Sequence, residues 1–355
     1  MKLTYRQAQI LEDDSSNALA VLASSEHLAD RRVVVTGGFG MLGGWVTYEL
    51  LRMQEVLGAG PASVTVLATG PGRPDPIWID KSKSVRVVQL EAPHPDKLPE
   101  ADVYFHLASP ASASAFLSDP AALIRLNIQL TQALLEKCSE SPREDSLVFA
   151  SSSEVYGQAE GLLNEAQIGE LPLSEGRWIY AETKRLGELL CRTYLENRGV
   201  GSVVLRPFHS FGPGLRPDDT RIFGEFTMRL AEGLPLVIRG DPTTTRCLAY
   251  AADVAGAFLL ASAPACYGQA INVGSSMAMS IGDLATALTS DFYGPSSKVL
   301  FESDATSQRN PVALSTPDIA KLSALGWNPT VDVLSAFRRT VAFMQDSMAM
   351  KSQLG

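Results

Sequence analysis

Arg31-Arg32-Val33-Val34-Val35-Thr36-Gly37-Gly38-Phe39-Gly40-Met41-Leu42-Gly43 is the stretch that decides the fold of this chain. The β-branched run ending at Thr36 reads as a short buried strand, and the apolar residues 42–57 read as the helix that follows it. Between them, Gly37, Gly40 and Gly43 meet the three demands of a dinucleotide loop: a tight turn, close approach of backbone to a pyrophosphate, and close packing of helix on strand. The helix directs its N-terminus at the phosphates. With Phe39, Met41 and Leu42 set among the glycines, this loop is the first candidate cofactor-binding segment.

Working outward, residues 64–68, 85–90, 102–108, 147–151 and 203–207 repeat the short apolar strand pattern, and residues 120–138 and 180–198 read as helices. Strands alternating with helices predict an α/β protein, a doubly wound parallel sheet covered on both faces. The first 28 residues form an extension before the sheet, expected to be a helix packed on its surface. Beyond Pro207 the pattern loosens, with Pro213-Gly214, Arg216-Pro217 and Asp241-Pro242 marking loops.

The chemistry gathers in two later runs, Ser151-Ser152-Ser153-Glu154 and Trp178-Ile179-Tyr180-Ala181-Glu182-Thr183-Lys184. A tyrosine and a lysine four apart share a helix face. There the ammonium is expected to favour the ionised phenol, and a phenolate beside a dinucleotide is a base suited to a sugar hydroxyl at the carbon being oxidised. Taken alone, such a pair is a common helix-surface feature; its force comes from the glycine loop and the serine run standing in the same chain.

Composition narrows the classes. A net charge of −9 argues against a nucleic-acid partner. No apolar run approaches the ~20 residues of a membrane span, and the N-terminus, with Glu12, Asp13 and Asp14, is unlike a signal peptide. Cys138, Cys191, Cys247 and Cys266 lack metal spacing and are expected to be reduced thiols in a cytoplasmic protein; the four histidines form no metal-binding pair, so no metal is expected. The second strand ends Leu67-Ala68-Thr69-Gly70-Pro71-Gly72-Arg73 without the acid that usually binds the adenosine ribose. Thr69 and Arg73 could take a 2′-phosphate instead, which leaves NAD and NADP both open.

With these residues together, the chain resembles the extended short-chain dehydrogenase/reductases, in the branch of nucleotide-sugar epimerases, dehydratases and decarboxylases. The likeness runs from about Arg31 to about Met344. Residues 106–112, His-Leu-Ala-Ser-Pro-Ala-Ser, are similar to a fourth-strand motif of UDP-glucuronate decarboxylases; Asn127 matches the family's helix asparagine; Arg246, in a run continuing to Tyr250 and Asp253, matches an arginine that binds the diphosphate; and Leu325-Gly326-Trp327 matches a closing motif. The resemblance implies a Rossmann domain over residues 29–205 with a returning segment near 250–275, and a smaller substrate-binding lobe over 206–249 and 276–345. It implies bound NAD, a nucleoside diphosphate sugar as substrate, and a homodimer. It further implies cofactor contacts from Leu107, Ala108, Ser109, Asn127, Tyr180 and Lys184, and substrate contacts from Ser109, His209, Arg246 and Arg309. Arg309, in Ser307-Gln308-Arg309-Asn310-Pro311, is followed by residues unlike the usual basic stretch, and His209 stands where asparagine is common.

The tripeptide Ser152-Ser153-Glu154 bears on the reaction. By the resemblance, Ser152 bonds the substrate 4-hydroxyl beside Tyr180; a 4,6-dehydratase places Asp at the next position, whereas decarboxylases have Ser there and keep the Glu. The expectation is therefore decarboxylation of a hexuronate nucleotide. A 4-epimerase and a 4,6-dehydratase are the alternatives, with a non-catalytic dinucleotide-binding regulator and a reductase that releases its cofactor from other classes.

Overall fold

The computed structural model describes residues 3–22, 26–69, 85–90, 92–110, 117–142, 144–302 and 315–352. Seven parallel strands form its main sheet: β1 (Arg32–Thr36), β2 (Ser63–Ala68), β3 (Val85–Gln89), β4 (Val103–His106), β5 (Ser146–Ala150), β6 (Gly201–Pro207) and β7 (Ala270–Val273). Their spatial order is β3-β2-β1-β4-β5-β6-β7, the Rossmann arrangement extended by one strand. The order reverses between β1 and β4. There Thr36 pairs with His106 at the carboxyl ends, which is where open α/β sheets build their sites.

Alternation along the strands explains the two layers. Val33, Val35, Phe105 and Val148 face one core with Trp45 and Leu50, while Val34, Tyr104, Leu147 and Phe149 face the other with Leu134 and Cys191. Successive strand side chains point to opposite faces, so every apolar residue of these runs is needed. The first face is covered by α1 (Tyr5–Ala20), α2 (Met41–Leu57) and, later in the chain, a helix at Ala251–Ala261 that precedes β7. The helix expected over residues 120–138 is divided into α3 (Pro120–Ile124), a π-helical turn (Arg125–Gln129) and α4 (Leu130–Cys138), and α4 packs on α5 (Ile179–Arg198) against the second face. Asp119 caps α3 by accepting the Ala122 N–H at 2.9 Å.

Helix α1 is the N-terminal extension, and it is built into the molecule. Thr4 and Gln7 form a capping box at its start, and Leu11, Ala18 and Leu19 are buried. Gln7 donates to the Phe343 carbonyl (3.1 Å). Asp14 bonds both Tyr250 (2.5 Å) and Arg339.

Outside the main sheet, short two-stranded ladders lie among helices at Ile222–Ala231, Ile281–Tyr293 and Val333–Ser352. Thr245–Cys247 pairs with Ala278–Ser280, Ser315–Pro317 with Gly161–Leu163, and Ser210–Phe211 with Ala249–Tyr250. They set His209 and Arg246 over the carboxyl end of the sheet. All four cysteines are free and buried. Among the described residues no helix is long and apolar enough to cross a membrane, and no group of three or more His, Cys, Asp or Glu side chains could hold a metal.

Candidate active site

The glycine loop leaves no room for side chains. Gly37 has φ +71°, and a Cβ there would lie 2.7 Å from the Leu107 carbonyl carbon and the Ala108 nitrogen; one on Gly43 would lie 2.2 Å from the Gly37 oxygen. Gly40 is the N-cap of α2 and supplies no side-chain cap, so the first N–H groups of the helix remain available to a ligand. Thr36 Oγ1 accepts from Ala108 N (3.1 Å), and because the Leu126 carbonyl beside His106 Nε2 can only accept, the neutral imidazole's Nδ1 accepts from Thr36 Oγ1 (2.7 Å). The imidazole then carries its proton on Nε2, facing the Leu126 carbonyl and Thr131. Burial, helped by the nearby Lys184 charge, pushes His106 down to about 3, so it stays neutral. This clasp locks β1 to β4 and to the π turn.

That turn presents Asn127. Its Nδ2 donates to Thr183 Oγ1 at 2.9 Å, yet its buried Oδ1 has no hydrogen-bond partner among the described residues. Buried polar atoms are usually paired. A cradle closed to any Cβ, an uncapped helix start and an unpaired amide oxygen together fit a dinucleotide laid from α2 toward α5. Leu107, Ala108 and Ser109 lie at the end of β4 between them, and Thr69 ends β2. Arg73 and Arg309 lie outside the described residues.

Tyr180, Lys184 and Glu188 fall on one face of α5, each a helical turn beyond the last. Burial, reinforced by the Glu154 charge and opposed by hydrogen bonds with Ser152 and Ser109 and by the Arg221 charge, leaves the Tyr180 phenol pushed up to about 12. Lys184 differs from the expectation. Its Nζ donates to the Ala150 carbonyl (2.7 Å) and lies 5.8 Å from the Tyr180 ring centroid, 5.1 Å from that of Phe149. Burial brings the ammonium down to about 7, with Glu188 opposing, and the lysine is not among the groups that offset the burial of the phenol. Glu188 is itself held by Ser151 (2.5 Å) and by both Nε and an Nη of Arg206 (2.9 and 2.6 Å). Arg206 in turn bonds Tyr156, which donates to Asn272 on β7.

Ser152 opens the turn Ser153–Tyr156 by accepting the Glu154 N–H at 3.2 Å. Ser153, Glu154, Arg177, His209, Arg246 and Ser315 line one cleft. Burial and the charges of Arg246 and Arg221 push His209 down to about 3, so a neutral imidazole stands where the sequence raised the question of an asparagine replacement. Burial also pushes Arg246 down, with Glu154 opposing. Arg221 is committed to Asp219 through paired bonds.

Of the sequence-derived residues, Gly37 lies against Leu107 and Ala108, Asn127 bonds Thr183 of α5, Tyr180 bonds Ser152 and Ser109, and Ser153, Glu154, His209 and Arg246 line one cleft. Sequence reasoning missed Arg177, Arg221, Glu188 and the His106 clasp. Arg177 lies three residues before Tyr180, in the short turn Gly176–Trp178 that precedes α5.

Residues 33–274 match the NAD dependent epimerase/dehydratase family. The chain belongs to this family of NAD-dependent nucleotide-sugar enzymes. It is 28% identical over 323 residues to UDP-glucuronic acid decarboxylase 1 of Xenopus tropicalis, covering 90% of this chain and 73% of the relative. Among solved structures, it is similar to the UDP-N-acetylglucosamine 4-epimerase of Methanobrevibacter ruminantium (TM-score 0.76, 25% identity, 90% of this chain and 100% of that one). It is also similar to a UDP-glucuronic acid 4-epimerase of Bacillus cereus (TM-score 0.73, 25% identity, 90% and 99%).

Proposed function

We propose that this chain oxidises C4 of a nucleoside diphosphate sugar and, given a hexuronate such as UDP-glucuronate, releases its carboxyl group as carbon dioxide. The observation that carries the reading is a phenol bonded to Ser152 and Ser109, with Glu154, on the turn that Ser152 opens, lining one cleft with His209 and Arg246. NAD, when bound, supplies the oxidant for C4 and returns the electrons at the end of the cycle. Gly37, Phe39, Gly40, Met41, Leu42 and Gly43 would hold its pyrophosphate, Thr69 its adenosine ribose, and Leu107, Ala108, Ser109, Asn127, Tyr180 and Lys184 its nicotinamide half.

In this reading Tyr180 takes the proton of the C4 hydroxyl while Ser152 bonds the same oxygen. Arg246 and His209 hold the diphosphate, the guanidinium by paired charge-assisted bonds and the imidazole by its single N–H. A C4 ketone makes a hexuronate a β-keto acid. The C5–C6 bond then breaks, its electron pair moves toward the C4 oxygen, and no dedicated base is required. Ser153 cannot readily protonate a departing hydroxide, whereas a carboxylic acid can. That sets the site apart from a dehydratase. The likeness to a UDP-glucuronic acid decarboxylase supports the choice; the likeness to 4-epimerases makes epimerisation the reading to test against it.

Incubation with UDP-, GDP-, CDP- and dTDP-sugars, followed by product mass, tests this. A hexuronate product lighter by carbon dioxide is expected. An unchanged mass with inverted C4 would make the chain an epimerase, loss of water from a hexose would make it a dehydratase, and no turnover of any sugar would favour a regulatory binder. We further assign a homodimer, because Ile124 on α3 and Leu186 and Leu189 on α5 are exposed apolar residues on neighbouring helices. A cytoplasmic location fits the four free thiols.

A further inference from the structure

Two successive turns of α5 grip the end of β5. Lys184 Nζ donates to the Ala150 carbonyl (2.7 Å), and one turn further on Glu188 accepts from the hydroxyl of Ser151 (2.5 Å). Gly187 permits the approach: a Cβ there would lie 2.4 Å from Phe149 Cζ, so α5 is seated directly on the strand. The next residue, Ser152, bonds the Tyr180 phenol. The helix that carries the phenol therefore also fixes the strand end that carries its serine.

The grip brings opposite charges into one poorly solvated layer. Lys184 is 2% exposed, and the side chains of Glu188 and Arg206 are 15% and 10% exposed. Residues four apart on a helix stand about 6 Å apart at their Cβ atoms, and at such a distance a carboxylate favours a neighbouring ammonium. Burial drives Lys184 toward its neutral form, and Glu188 is the charge that opposes this. The other titratable groups around the pair give no such help. His106 of β4 is neutral, and burial keeps the Tyr180 phenol and the Cys191 thiol protonated. Arg185 and Arg206 are cations, the first bonded to the Val155 and Gly169 carbonyls, the second forked onto Glu188. That fork orients Glu188 and partly offsets its charge.

We propose that Glu188 is a positioning residue that acts through Lys184, holding it charged and in place 5.8 Å from the Tyr180 ring centroid. This rests on the role given above to Tyr180 at C4 and deepens it, whichever sugar is turned over. A lysine at that distance favours an ionised phenol only as an ammonium. As a neutral amine it would have no such effect.

The test is an NMR titration of the purified full chain carrying 13C at the lysine ε-carbon, whose shift distinguishes ammonium from amine. The signal lost in Lys184→Arg identifies Lys184. Glu188→Gln keeps an oxygen to accept from Ser151 and removes the charge, so the Lys184 midpoint should fall by about one pH unit. Ser151→Ala keeps the charge and should leave the midpoint close to wild type. Arg206→Gln frees Glu188 of its counter-charge and should raise the midpoint, which decides the matter if Glu188→Gln does not fold. An unmoved midpoint in Glu188→Gln, an equal fall in Ser151→Ala, or no rise in Arg206→Gln would each overturn the proposal and leave Glu188 a structural grip alone. No sugar nucleotide enters this titration, so those results leave the decarboxylation reading to product mass and the role of Tyr180 to the turnover of Tyr180→Phe.

Discussion

Burial costs Tyr180 its acidity, and the phenol at about 12 is not yet a base. Ser152, Ser109 and Arg221 already pull it down, and the fixed positive charges of the site are the remaining means of bringing it within reach of neutral pH. Lys184, 5.8 Å from the Tyr180 ring centroid, supplies such a charge only when protonated, which its burial opposes. Tyr180→Phe keeps the ring packing and removes the proton acceptor. Turnover should fall by at least about a thousandfold, within the range of general-base contributions, with NAD binding nearly intact by fluorescence titration. Arg246→Ala should raise KM for each accepted sugar nucleotide more than tenfold, because a charge-assisted contact to phosphate is lost, and should leave NAD affinity as it was; steady-state kinetics and the same titration separate the two. Tyr180, Lys184, Ser152 and Glu154 were legible because their spacing is local. Arg177, Arg221 and Glu188 were not: what defines them is the partner each meets in the fold, Glu154 for Arg177, Asp219 for Arg221, and Ser151 and Arg206 for Glu188.

Among the elements, the strands stood out because apolar runs bounded by turn residues are short and distinct. The strand expected at residues 147–151 is Ser146–Ala150 and that at 203–207 is Gly201–Pro207. The break in the helix over 120–138 was not visible, since Arg125–Gln129 has ordinary helix-forming residues and the π turn shows itself only in hydrogen bonding. Such turns gather at functional sites, and this one presents the unpaired Asn127 oxygen. The glycine loop offers the sharpest test of an element. An added methyl at Gly43 would meet the Gly37 oxygen at 2.2 Å, backbone against backbone, so α2 must move. Gly43→Ala should cost about 1–3 kcal/mol of stability, read by denaturant unfolding, and should weaken NAD at least tenfold.

Over the whole molecule, the N-terminal helix was foreseen as a surface feature, but its energetics were not. It seals Glu49 of α2, which is fully buried, accepts from Ser15 at 2.6 Å, and leaves its other oxygen without a hydrogen-bond partner among the described residues. Burial, with the Asp14 charge adding to it, raises this carboxyl from 4.5 to about 8. Between those values the folded chain keeps a proton that the unfolded chain has lost, so this group makes stability fall as pH rises from 4.5 to 8, with the full penalty above 8. Glu49→Gln has no such titration. Its thermal midpoint should gain on wild type progressively across that window and hold the gain above it; thermal scans from pH 5 to 8.5 measure this, and a constant difference would show that Glu49 ionises freely. No sequence pattern marks the effect, because Glu49 and Ser15 meet only when α1 docks on α2.

The central claim is that C4 is oxidised and reduced again within one site. UDP-glucuronate carrying deuterium at C4, turned over by the protein as purified, tests it most directly by product mass and NMR. The account predicts a product lighter by carbon dioxide with the deuterium still on C4. Release of carbon dioxide with the C4 label lost to solvent would contradict it.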